Sequence, residues 1–72
     1  MTYKFYVFQD PDKKWQVWEE EAFRSAESNH TRNLQYKLGK EYSLNMLHCM
    51  HNATIVYEEN TEKAIEKREM LK

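Results

Sequence analysis

TYKFYVFQDPDKKWQVWEE, residues 2–20, holds two runs rich in aromatic and β-branched residues with DPDK between them. Such side chains favour a pleated, half-buried strand. In the second run Trp15, Val17 and Glu19 alternate with Gln16 and Trp18. Asp10 suits the first position of a type I turn, and Pro11 presets the backbone angle of the next. The stretch reads as a β-hairpin. Two registers compete. If Asp10 faces Lys13, then Phe8 faces Trp15, Tyr6 faces Val17, Lys4 faces Glu19 and Phe5 lies against Trp18. A register one residue longer sets Val7 against Val17 and Tyr6 against Trp18. Each favourable pair contributes about 0.2–1 kcal/mol, so pairing alone does not choose between them.

Both faces of the first strand are apolar: Tyr3, Phe5 and Val7 on one, Tyr6 and Phe8 on the other. A half-exposed strand would show a polar face. One face must therefore cover the chain's own helices. The other is either covered too or offered to a partner.

Outward from the hairpin, EEEAFRSAE contains helix formers, with Ala22, Phe23 and Ala26 at helical spacing. NLQYKLG also alternates like a strand, but the favoured reading of this region is one helix over about 29–38, capped by Ser28 and stopped by Gly39. Ser43 is expected to cap a short helix running through Asn52. Residues 53–59, ATIVYEE, read as a third strand. Asn60 or Thr61 caps a last helix whose apolar stripe is Ala64, Ile65 and Leu71. The order is β-β-α-α-β-α. The expected product is a small two-layer α+β fold, an antiparallel three-stranded sheet packed on two or three helices.

The chain has 72 residues, enough for a single domain, 1–72, that buries only about 60% of its unfolded surface. Small scaffolds usually add a disulfide, a metal or a partner subunit. The one cysteine, Cys49, rules out an intrachain disulfide and points to a reducing compartment. The sequence lacks a secretory signal and a membrane-length apolar run, so a cytoplasmic protein is expected and a membrane is not an expected partner. The N-x-T triplets at Asn29 and Asn52 are then chance matches to the glycosylation pattern. Eleven basic and twelve acidic residues leave a net charge of −1, which argues against a duplex-binding protein.

NMLHCMHN, residues 45–52, is the one cluster of metal-ligand residue types. On a helix Cys49 and His51 point in roughly opposite directions, and only His48 and His51 can reach one ion. A zinc site needs further ligands that no spacing supplies. The stretch reads as a helix face, with Cys49 a small apolar group and no metal or other cofactor expected. With one glycine there is no phosphate-cradling loop, and no serine lies in a G-x-S-x-G turn. No catalytic residue is assigned, and the protein is not expected to be an enzyme.

Trp, Tyr and Phe dominate interface energetics, and aromatics make up 14% of the chain. The expectation is a non-catalytic domain that binds another protein, or a second copy of itself, through Tyr6, Phe8, Trp15 and Trp18. Glu19, Glu20 and Glu21 would form a charged rim that meets a basic patch. The alternative is a single-stranded nucleic-acid binder. It would stack bases on hairpin aromatics beside Lys4, Lys13 and Lys14, with His30, Arg32, Lys37 and Lys40 as a second basic run. In size and general character the chain resembles small phage or mobile-element proteins, anti-CRISPR proteins among them, that inhibit host defence or host enzymes by binding them. The resemblance implies an inhibitory role and carries over no residue, because it rests on no motif.

Overall fold

A computed structural model describes residues 1–71, with the side chain of Leu71 left out. The hairpin is formed by β1 (Tyr3–Gln9) and β2 (Trp15–Glu19). Helix α1 (Glu20–Asn33) follows directly, then α2 (Lys40–His51), β3 (Thr54–Glu58) and α3 (Thr61–Leu71). The strands form one antiparallel sheet in the order β2-β1-β3. This is the small α+β fold, in the element order, that the sequence implies.

The hairpin takes the longer register, with Val7 opposite Val17 and Tyr6 opposite Trp18. The reason lies in the turn. Lys13 N–H donates to the Asp10 carbonyl at 2.9 Å, closing a type I turn. Asp10 N–H then donates to the Lys14 carbonyl at 2.9 Å. Lys13 sits between these bonds at φ 65°, in the left-handed region. A type I turn followed by a left-handed residue is the common three-residue hairpin loop. The Asp10 carboxylate reinforces it by accepting the N–H groups of Asp12 and Lys14, each at 2.9 Å.

Both faces of β1 are covered. On one, Phe8, Phe23, Met46 and Met50 form a buried cluster against which Tyr6, Trp18, Ala26, Cys49 and Ala53 pack. That face belongs to α1 and α2. On the other, Phe5 and Val7 are each 1% exposed and Ala64 of α3 is fully buried. Among the described residues, α3 touches the strands and neither of the other helices. The layers are thus two helices, the sheet, and a single helix, three layers and not the expected two, because α3 covers the face of Phe5 and Val7 that the helices on the other side leave bare. The second apolar face that the sequence shows on β1 has its cover in α3.

Residues 21–42 depart from expectation. The helix lies over 20–33 and not 29–38, and Ser28 stands inside it. The physical reason is the anchor. Phe23 is buried and stacks on Tyr6 with ring centroids 3.8 Å apart and planes 8° from parallel. Leu38 is 91% exposed and anchors nothing. Gly39, at φ 79°, opens α2. Ser43 is therefore an internal residue of α2 and not its cap: the residue is 1% exposed and its hydroxyl is bonded across to α1. Asn60 does cap α3, its side-chain oxygen accepting Lys63 N–H at 2.9 Å. Ile65 of the expected stripe is 39% exposed. Leu71 of that stripe lies outside the described side chains.

Candidate functional site

The sheet has two free edges, β2 and β3, and they are walled differently. β2 runs between α1 and α3, both of which contact it. Along it lies an open groove of about 640 Å³. Phe5, Val17 and Trp18 line its base. Ala22, Ser25, Ala26 and Asn29 of α1 line one wall, and Thr61 at the start of α3 stands opposite. Those four α1 residues are spaced three and four apart, which puts them on one helix face. Small side chains there leave the floor accessible.

Trp18 is half-buried and held from two sides. Its ring meets Phe8 edge-on at 5.4 Å between centroids. Its indole N–H donates to Gln16 Oε1 at 3.2 Å, and Gln16 Nε2 donates in turn to Asp10 Oδ2 at 2.9 Å. A chain of three side chains therefore runs from the hairpin turn to the groove. Hydrogen bonds from Lys14 N–H, Gln16 and Asp12 N–H stabilise the charged carboxylate and hold the Asp10 pKa below its ordinary value, against the opposing effect of burial.

An acidic cluster adjoins the groove. Glu19 lines it, and Glu19, Glu20 and Glu21 surround a second, smaller hollow with Tyr3 and Lys4. Glu20 is engaged by Lys4 at 3.2 Å and by Arg24 at 3.6 Å. The Lys4 ammonium lies 5.2 Å from the Tyr6 ring centroid. Its contact with Tyr6 and its pairing with Glu20 raise the Lys4 pKa. Among the described residues no ion pair engages Glu19 or Glu21, and both are exposed.

The candidate residues divide accordingly. Trp18 and Glu19 share the groove, with Glu20 and Glu21 beside it. Phe8 is 2% exposed and Tyr6 is half-covered by Phe23, so both support Trp18 from within. Trp15 pairs with Gln9 near the turn, on the opposite sheet face from Trp18, and does not join the groove. The sequence marks Asp10 as a turn residue and Gln16 as a strand residue, but not the relay that joins them to Trp18, nor the small-residue face of α1. That face carries a signal in its spacing; the side-chain relay carries none.

Cys49 is partly buried and packs on the core cluster, while His48 and His51 are exposed. Among the described residues no three His, Cys, Asp or Glu side chains gather as a metal site. His30 Nδ1 lies 3.0 Å from Ser43 Oγ, but that hydroxyl is sealed between α1 and α2. Among the described residues no helix is long and apolar enough to cross a membrane. No family model, curated protein or solved structure matches this chain.

Proposed function

We propose that the protein is a non-catalytic, cytoplasmic binding domain that takes an extended, basic segment of another protein along β2. The observation that carries this reading is the free β2 edge at the base of a groove between two helices. Hairpin pairs alternate between bonded and non-bonded. Counting from the Asp10–Lys14 pair, Gln16 and Trp18 bond to β1, which leaves the backbone groups of Trp15, Val17 and Glu19 facing outward. An extended segment adding to that edge gains main-chain hydrogen bonds, and alternate side chains meet the Trp18 floor. The unpaired carboxylates of Glu19 and Glu21 favour lysine or arginine in the ligand and speed its approach. Occupying a surface that a host enzyme needs would make such a domain an inhibitor.

The test uses a Trp15→Phe variant, so that Trp18 alone reports by fluorescence. Titration with displayed peptides of alternating basic and apolar residues is expected to shift its emission. Ser25→Arg fills the groove from an exposed helix position and should abolish the shift without unfolding the protein. Binding that survives Ser25→Arg overturns the reading. So does a retarded single-stranded RNA whose affinity falls steeply with salt, the mark of phosphate contacts.

A further inference from the structure

We infer that β3 is a self-association edge, through which two copies of this chain join their sheets about a two-fold axis. Among the described residues, β3 contacts β1 and α3 only; α1 and α2 stop short of it. Ile55 and Tyr57 are consequently 46% and 62% exposed, side by side on the face that α1 and α2 leave open. The strand carries no lysine, proline or bulge, the devices that usually blunt an edge.

The pairing pattern says what fits there. Even-numbered residues of β1 bond to β2, so odd-numbered ones bond to β3. Tyr3, Phe5 and Val7 thus hold Glu58, Val56 and Thr54. The backbone groups of Ile55 and Tyr57 are left facing outward. In an antiparallel self-pairing centred on Val56, Ile55 of each copy meets Tyr57 of the other. Both pairs then exchange main-chain bonds in both directions. An aromatic ring lies against a β-branched side chain in each. On the other face Val56 meets Val56, and Thr54 meets Glu58. No like charges are opposed anywhere in the ladder. Glu58 already has Lys67 at 3.6 Å, so its charge is balanced within its own chain. A two-fold contact requires such a self-complementary patch. A second copy supplies the matching strand with its own exposed Ile55 and Tyr57. Among the described residues, helices flank β2 on both sheet faces, whereas only α3 flanks β3, so β3 is the more open of the two edges.

Sedimentation of the full chain across micromolar to millimolar concentrations tests the proposal. The expected species is a dimer, twice the 8.9 kDa chain. The double variant Ile55→Lys/Tyr57→Lys places like charges opposite each other twice and should weaken the dimer at least about ten-fold. Both positions are exposed, so circular dichroism should stay that of the parent. Mixing that variant with Ile55→Glu/Tyr57→Glu should restore a heterodimer, because this register sets each lysine against a glutamate. A monomer at every concentration overturns the inference, as does a dimer that the lysine variant leaves intact. Failure of the mixed pair to associate overturns the register on which it rests.

Discussion

The Trp18 indole N–H donates to Gln16 Oε1 over 3.2 Å. This bond fixes which way the Gln16 amide faces, since its nitrogen must then serve Asp10. Removing Gln16 strands a half-buried indole N–H and takes one donor from Asp10. Gln16→Ala is expected to lower stability by about 1–2 kcal/mol, the usual result of leaving such a group without its partner. Chemical denaturation measures the loss, and near-ultraviolet circular dichroism should show the freed indole. An unchanged indole signal would mean that Phe8, not the hydrogen bond, orients Trp18.

The same relay predicts a dependence on acid. The Asp10 carboxyl titrates below its ordinary value in the folded protein, so the unfolded chain binds the proton more readily. The stability that Asp10 contributes is then present above the unfolded pKa, and it is lost as pH falls through the lowered folded one. Thermal melting of the parent should fall on acidification through this window. Asp10→Asn has no proton to bind there, so its melting temperature should approach the parent's as pH falls. Parallel curves would show that other carboxylates carry the acid response.

Lys13 holds a left-handed backbone at φ 65°, a conformation that costs an L-residue with a side chain about 1–2 kcal/mol. Glycine adopts it freely but loses more chain entropy on folding. Lys13→Gly should therefore stabilise the protein by about 0.5–1 kcal/mol and raise the midpoint by a few degrees for a chain of this size. The Gln9 side chain donates to the Lys13 carbonyl at 3.0 Å, and glycine keeps that acceptor. A loss of stability would show that the lysine side chain contributes more than its backbone strain costs.

The turn shows where the sequence speaks and where it stops. Asp10–Pro11 and the runs beside it announce a hairpin, and the β-branched TIVY announces β3. Asn60 announces the start of α3. The register was not legible, because both alignments give aromatic pairs and only the left-handed Lys13 selects one. Residues 21–42 misled because Leu34 and Leu38 have apolar side chains at helical spacing, yet Leu38 is left 91% exposed. Phe23 decides that segment by stacking on Tyr6, a contact made only once α1 folds back over the sheet. The groove along β2 was illegible for a similar reason: its walls come from α1 and from the far end of the chain at Thr61. Aromatic content did point to the hairpin as a binding surface. It could not say that Phe8 would be sealed in and Trp15 turned to the other face.

Ser43 gives the last expectation. The residue is 1% exposed, and its hydroxyl accepts from Asn33 Nδ2 at 3.3 Å and lies 3.0 Å from His30 Nδ1. Besides packing, these bonds join α1 to α2 across the bends of residues 34–39. Ser43→Ala removes both while creating almost no cavity. Asn33 is exposed and His30 half-exposed, so water can replace the lost partner for each. The cost should therefore sit near about 1 kcal/mol, the net value of an ordinary hydrogen bond, and below that of a stranded buried group. Amide exchange should quicken most in the first turns of α2, where Ser43 N–H donates to the Gly39 carbonyl at 2.9 Å, and least in the hairpin. Uniform quickening across all helices would show that the hydroxyl contributes to global stability without acting as a local tie between α1 and α2.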